Sequence, residues 1–434
     1  MMYDVAIIGG GPGGYTAALR ARNYGLSVVL FEHNEMGGTC LNRGCVPTKY
    51  LAHVAEINRQ LSELGTYGIE AESNNINFRQ TQKKNYEIVS NLRNSLSEQM
   101  ISYGIEIVCG RAELQSDKTI VCSGTSYYAQ NIIVATGSMP KMRLSDNVLT
   151  SNEALMLKKI PTSVSIIGGG VIAVELAEIF SGLGAIVNIY IRGERILRNW
   201  DKDIAVGLTQ SMKKRNIKIH AKYTYDMLCS VKDELIISAL GRKAVLEGLD
   251  LGLFQIGENH GIIVDDNGYT GTQGLYAIGD VVENSPMLAH VAMEQGRKVI
   301  DFIACGVKSK RAAVIKCIYT TPEIASVGMT ESEAKENGRS PVVGKQLMYT
   351  NARTMIATTE RGFVKIIADA VSREVIGAQF MCERATDLIV EVASAINNRE
   401  TIDKMLNTIR PHPGFSEAIT DALEIIERRL RNEF

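Results

Sequence analysis

The chain has 434 residues, 45% hydrophobic and 22% charged, with 47 Lys and Arg against 48 Asp and Glu and a formal net charge of −1. That length suits several domains with cores of their own, and no basic tract marks a polyanion-binding surface, which argues against nucleic acid as a partner. The most apolar long window, Ser165–Ile191, carries Glu175 and Glu178, which argues against a membrane span.

The opening residues MMYDVAIIGGG run directly into an apolar strand with no basic leader or small-residue cleavage site, so a cytoplasmic location is expected. Asp4–Glu32 reads as strand, glycine turn, helix and strand. Gly9, Gly11 and Gly14 form GxGxxG at the turn, and Glu32 ends the second strand. Glycines there let the backbone approach a pyrophosphate, the helix N-terminus supplies positive potential, and the acid accepts ribose hydroxyls. A lone GxGxxG is often only a structural turn. Strand, turn, helix, strand and acid together point to a dinucleotide.

Cys40 and Cys45 follow, five positions apart, where a glycine-rich loop passes into a helix. The other six cysteines (Cys109, Cys122, Cys229, Cys305, Cys317, Cys382) stand apart, and most are expected to be small buried hydrophobes. Pro47 suits a first helical turn, and Lys49 lies one turn beyond Cys45. A thiol in that turn beside a lysine should have a lowered pKa, as a nucleophile requires. The rival is half a zinc site, but no second CxxC or HxxxH completes four ligands, so no metal is expected.

The first domain is expected to end near Asn131–Pro140, where an apolar strand meets a Gly/Pro break. Ser163–Arg192 then repeats the opening design, with Gly168, Gly170 and Ala173 at its turn, so two doubly wound nucleotide-binding domains are expected. Its second strand places Ile191 where the ribose-binding acid should fall, followed by Arg192 and Arg198. A carboxylate about 4 Å from a 2′-phosphate would cost on the order of 4 kcal/mol, whereas two arginines would contribute charge-assisted hydrogen bonds. NADPH is therefore favoured over NADH, the alternative being two ordinary surface arginines.

A third strand–turn, Gly274–Val281, leads into a helically spaced stretch in which His290 opens the helix beside a ligand. From Ala312 strands and helices alternate as in a separate α+β domain, ending in an amphipathic helix opened by Ser416. His412 lies just before it between two prolines, with Glu417 five residues on. A histidine held by a carboxylate can move thiol protons, although a loop histidine alone is more often structural.

In chain order, the first dinucleotide turn, GGTCLNRGCVPTK, ATG, the second turn, AIGD, PEIASVG and HPGFSE make the sequence similar to the flavoprotein pyridine nucleotide–disulfide oxidoreductases over nearly its whole length. Within that family PGGY, GGTCLNRGC and MLAHVAMEQG most resemble dihydrolipoamide dehydrogenases. The resemblance implies an α/β fold of two doubly wound domains plus a C-terminal α+β dimerisation domain. Expected boundaries are 1–148 for FAD, 149–242 for NAD(P)H, 243–311 for a central part completing the FAD site, and 312–434 for dimerisation.

The resemblance also assigns roles. Gly9, Gly11, Gly14 and Glu32 would bind the ADP part of FAD, and Asp280 its ribityl chain. Gly38, Thr39, Ala135, Thr136, Gly137 and Gly279 would line the same cofactor, with Ala289 and His290 near the isoalloxazine. Gly168, Gly170, Ala173, Arg192, Arg198 and Gly241 would bind the nicotinamide nucleotide. Cys40 would attack the substrate disulfide and Cys45 would be the thiolate in charge-transfer contact with the flavin. Lys49 would pair with Glu175, and His412, oriented by Glu417, would serve the other subunit of a homodimer as acid–base catalyst.

Some residues depart from the pattern. Arg192 and Arg198 resemble the NADPH pair of glutathione reductases, against the NADH habit of lipoamide dehydrogenases. Leu19 stands where glutathione reductases carry a glutathione-binding arginine, Val171 replaces their gating tyrosine, and Pro411 and Gly414 alter the surroundings of the histidine. The stretch Tyr223–Glu234 is shorter than in relatives. The leading expectation is electron transfer between NADPH (or NADH), FAD, the cysteine pair and a small lipoamide-like disulfide or dithiol. A glutathione-reductase-like enzyme for another small disulfide is the alternative. A flavin redox sensor without turnover is the second, and it would need neither the dithiol nor a proton shuttle.

Overall fold

The computed structural model describes residues 2–70, 75–141, 144–145, 147–224, 233–308, 312–357 and 362–432, so most of the shortened stretch near Tyr223, and Cys229 within it, lie outside the described residues. Two compact units emerge: Met1–Leu51 with Asn75–Lys159 and Leu240–Arg311, and Ala52–Asn74 with Ile160–Ala239 and Ala312–Phe434. The first unit thus runs past the expected boundary at 148 and contains the segment 243–311, while Ala52–Asn74 belongs to the second.

The first unit is built on a twisted sheet in which Glu106–Cys109, Val28–Glu32, Met2–Ile8, Thr125–Val134 and Leu275–Ala277 lie side by side, all parallel. Thr125–Val134 is long enough to serve two neighbours on one edge. Its first half pairs antiparallel with Thr119–Cys122, and its last residues pair with Leu275–Ala277. Alternation along the first strand feeds two cores: Val5 and Ile7 join Leu30, Ile133 and Met100 on one face, Ala6 and Ile8 join Phe31, Ile132 and Val134 on the other. A parallel strand covered on both faces has to be apolar throughout, which is why VAII is.

In the second unit, four parallel strands run in the order Lys218–His220, Ile186–Tyr190, Ser163–Ile167, Leu235–Ser238, a second doubly wound sheet. Its other sheet is antiparallel, ordered Lys316–Ile318, Glu323–Gly328, Val375–Cys382, Phe363–Asp369, Pro341–Leu347. Every residue of Phe363–Asp369 and Val375–Cys382 is buried. The helices Ala385–Asn397 and Glu417–Leu430 supply Ile389, Val392, Ile419, Leu423 and Ile426 to the core around Val364, Ile366 and Phe380. Full burial of each such side chain contributes about 1.5–3 kcal/mol before entropy is charged.

The cysteines correct one expectation. Cys122 and Cys382 are buried hydrophobes, but Cys109 and Cys305 are exposed and Cys317 is half-buried. Among the described residues no helix is long and apolar enough to cross a membrane, and no group of His, Cys, Asp and Glu could hold a metal.

Candidate redox and dinucleotide sites

Gly9 has φ +114, and a Cβ there would stand 2.3 Å from the Ala135 carbonyl oxygen; at Gly14 it would stand 1.9 Å from the Gly9 carbonyl oxygen. Strand, turn and helix therefore meet backbone to backbone, and only glycine permits it. Gly11 differs: a Cβ there would come no nearer than 4.0 Å to any atom, so the protein itself does not demand glycine. The space beside it is open to a group approaching from outside. The helix Pro12–Asn23 starts at Gly11 without a side-chain cap, which leaves its first N–H groups turned toward that space. Glu32 is 7% exposed and accepts hydrogen bonds from the backbone N–H groups of Gly10 and Asn34, both at 2.8 Å. An open helix N-terminus, a cradle a Cβ would fill and a fixed carboxylate fit the ADP half of a dinucleotide.

The helix Ala289–Cys305 also begins uncapped, with Ala289 first and His290 second. It meets Pro12–Asn23 so closely that a Cβ on Gly296 would lie 2.6 Å from the Gly13 carbonyl oxygen. Gln295 accepts the Gly279 N–H at 2.7 Å and so fixes the turn before Asp280. Asp280 in turn accepts from Ser138 Oγ at 2.6 Å, and Arg242 donates to Ser138 Oγ at 2.7 Å and to its carbonyl at 2.6 Å. Burial lowers the Arg242 pKa, against the opposing pull of Asp280 and Cys45. Ser138, Arg242 and Gln295 were not singled out from the sequence. Thr136 donates to the Val245 carbonyl at 2.6 Å, and Gly137, at φ +74, ends the ATG turn.

Gly38, at φ +59, would bring a Cβ to 2.8 Å from Gly11 Cα, so the cysteine loop is pressed against the glycine turn. Cys40 lies in the short helix Gly38–Arg43, Gly44 breaks it, and Cys45 begins the helix Cys45–Ser62, with Pro47 in its first turn. Asn42 Nδ2 donates to the carbonyls of Met36 and Gly38 at 3.0 Å, and Glu35 bridges Arg43 at 2.7 Å and Arg93 at 2.5 Å. The two thiols are hydrogen-bonded to each other. That bond, with burial, pushes the Cys40 pKa well up, against the smaller pull of the Cys45 backbone N–H and Lys49. Two thiols that interact this closely titrate as a pair rather than as independent groups. Tyr15 stands near enough that, after burial, the charges of Cys40 and Cys45 raise its hydroxyl pKa.

In the second unit the same turn recurs. A Cβ on Gly168 would lie 2.3 Å from the Ala239 carbonyl oxygen, while Gly170 has nothing within 4 Å and caps the helix Val171–Gly182 with no side-chain bond. Ala173 is fully buried in it. Where Gly10 faces the Glu32 carboxylate, Gly169 faces Ile191 Cγ2, 2.7 Å from where its Cβ would be. Ile191 thus stands in the second turn where Glu32 stands in the first. Arg192 and Arg198 follow, both exposed. Their loop is seated by the Leu197 N–H on the Gly169 carbonyl at 2.7 Å, by buried Ile196, and by Arg195 donating to the carbonyls of Arg198 and Trp200 at 2.9 and 3.3 Å. Arg195 was not singled out from the sequence, although an arginine at every third position from 192 to 198 marks it. Glu175, buried in the same helix, accepts the Tyr319 N–H at 3.0 Å. Gly241 belongs to the first unit, where its carbonyl accepts the Lys141 N–H at 2.9 Å.

His412 stands 2.8 Å from Glu417 through Nδ1, and Glu417 also accepts the Gly414 N–H at 2.8 Å. The Gly414 N–H first, and then His412, hold the Glu417 carboxyl below its ordinary pKa. An ionised carboxylate can only accept, so Nδ1 carries the proton and Nε2 is left as the acceptor. The His412 side chain is 75% exposed. Ser416 precedes the last helix as expected, but its hydroxyl makes no cap bond; Glu417 instead ties the turn to the helix.

Residues 3–296 match the family model described as pyridine nucleotide-disulphide oxidoreductase, and 314–423 match that family's dimerisation domain. A dihydrolipoyl dehydrogenase of Bacillus subtilis (strain 168) is 33% identical, over 97% of this chain and 97% of its own. One from Haloferax volcanii is 31% identical, covering 97% and 95%. Among solved structures, LpdA from Mycobacterium tuberculosis superposes with a TM-score of 0.89 at 26% identity, covering 97% of this chain and 98% of its own. The HOCl-induced flavoprotein disulfide reductase RclA from Escherichia coli, at 24% identity over 97% and 99%, shares the fold with a TM-score of 0.86.

Proposed function

The chain belongs to the pyridine nucleotide–disulphide oxidoreductase family, and we propose that its substrate is a small lipoamide-like disulfide or dithiol handled by the Cys40–Cys45 pair. It is an FAD-dependent disulfide oxidoreductase that uses a pyridine nucleotide and is most like dihydrolipoyl dehydrogenases. FAD supplies two-electron exchange between the nucleotide and the dithiol. Gly9, Gly11, Gly14, Gly38 and Glu32 hold its ADP half, Asp280 with Ser138 and Arg242 its ribityl side, and the Ala289 helix its ring.

The hydrogen bond between Cys40 and Cys45 carries this reading. One sulfur can leave as thiolate while the other keeps the shared proton, the state from which a dithiol attacks a disulfide. By the family pattern Lys49 would serve the flavin side. His412 Nε2, exposed and held by an ionised Glu417, takes the thiol proton in the site of the partner subunit of a homodimer in the cytoplasm. A steady-state panel of lipoamide, glutathione disulfide and cystine against NADH and NADPH tests the assignment. Turnover led by lipoamide is expected, and absence of any disulfide turnover contradicts it.

Ile191 in the place of an acid, with Arg192 beside it, favours NADPH as the nucleotide. The same observation supports the second reading, an NADPH-driven reductase of another small disulfide. That reading predicts lipoamide turnover well below that of some other disulfide in the panel.

A further inference from the structure

Glu417 orients the His412 ring, but that bond alone does not fix the loop that carries it. Its side chain is 75% exposed, and residues 407–416 around it have no regular structure. Two residues earlier, Arg410 is buried, its side chain only 3% exposed. Its guanidinium pairs with Glu391 of the helix Ala385–Asn397 and donates to Thr420 Oγ1 of the helix Glu417–Leu430 at 2.8 Å. Longer contacts reach the carbonyls of Thr408 and Met405, both at 3.4 Å. On the far side, Asn351 Nδ2 donates to the Gly414 carbonyl at 2.9 Å while its Oδ1 accepts the Thr354 N–H at 3.0 Å.

We propose that Arg410 is a positioning residue that, with Asn351, fixes the loop so that His412 presents Nε2 at a set place; this rests on the assignment of His412 as the base. Stability alone does not account for a buried guanidinium here. Desolvating an ion pair commonly costs as much as the pair returns, and an apolar side chain would fill the space as well. Arg410 Nε has no partner among the described residues, a further cost. What the planar fork adds is geometry: one group ties two helices, the Met405 carbonyl and the loop's own Thr408 carbonyl in one arrangement. A base misplaced by about 1 Å loses on the order of a hundredfold in rate, so such an anchor acts on turnover more than on folding.

The test uses the FAD-loaded dimer and four variants: Arg410→Met, Arg410→Lys, His412→Gln and the double Arg410→Met/His412→Gln. Steady-state disulfide reduction and rapid-reaction flavin reduction by the nucleotide are measured on each. Arg410→Met should lower kcat for the disulfide roughly tenfold or more while flavin reduction and nucleotide KM stay within about twofold. Arg410→Lys should recover part of the loss. In the His412→Gln background the Met change should add almost nothing, because a residue acting only through His412 has nothing left to position. Wild-type disulfide turnover in Arg410→Met beside an inactive His412→Gln would overturn the proposal and leave the base assignment standing. Independent, multiplying losses in the double would overturn it too. A fully active His412→Gln would remove the base assignment and the proposal together. If Arg410→Met does not fold, Glu391→Gln, at a carboxylate 35% exposed, carries the same expectation at smaller size.

Discussion

Cys40 and Cys45 differ in what their surroundings do to a proton. Cys40 is the more buried, and the hydrogen bond from its partner raises its pKa; Cys45 begins a helix and faces solvent. Their serine variants should therefore fail differently. Cys45→Ser should keep FAD and lose the long-wavelength absorbance that follows two-electron reduction. Cys40→Ser should keep a thiolate–flavin band and lose disulfide turnover. Wild-type turnover in either would contradict the relay. Arg192 carries the nucleotide prediction. Loss of one charge-assisted contact of roughly 1.5–3 kcal/mol implies about a 10- to 150-fold lower kcat/KM for NADPH in Arg192→Ala, with NADH nearly unchanged. Equal losses with both nucleotides would show that the arginine does not read the 2′-phosphate. Glu417→Gln belongs with these. It removes the acceptor that fixes the His412 tautomer, and disulfide turnover should fall on the order of a hundredfold while flavin reduction by the nucleotide continues. An unchanged turnover would make the pair structural.

The glycine turns separate what the fold requires from what a ligand requires. At Gly14 an added Cβ would overlap the Gly9 carbonyl, whereas at Gly11 it would meet open space. Gly14→Ala should therefore unfold or shift the turn, seen as a lowered Tm even without flavin. Gly11→Ala should keep the apoprotein Tm and lower the flavin-to-protein ratio after purification. Equal Tm losses in both would deny Gly11 a place against the cofactor. This level was legible in the sequence because strand, turn and helix are local and periodic: VAIIGGG and SIIGGG announce both units before any contact is known. The spacing of Cys40 to Cys45 and of His412 to Glu417 was legible for the same reason. What stayed hidden joins loops far apart in the chain. Ser138, Arg242 and Asp280 meet across more than a hundred residues, and Asn351 meets Gly414 across 63. Arg410 and Glu391 sit in segments with no shared period. No periodic pattern in the sequence marks such pairs. Position 191 lies between the two cases: the sequence supplied the isoleucine, but only the turn geometry shows its side chain filling the carboxylate's place.

At the scale of the molecule, Cys40 belongs to the first unit and His412 to the second, in the segment that matches a dimerisation domain. The imidazole is largely exposed on its own chain, although a base has to lie within hydrogen-bond reach of the thiol it serves, directly or through one water. We propose that each site takes its dithiol from one chain and its base from the other, as two-fold symmetry allows. The account then stands on one complementation measurement. Inactive Cys40→Ser and inactive His412→Gln chains are mixed under conditions of demonstrated subunit exchange, and disulfide reduction is assayed. Random reassortment makes about half the dimers hybrid, each with one intact site of two, so recovery should approach about a quarter of wild-type activity. No recovery would place His412 beside the dithiol of its own chain and contradict the shared site.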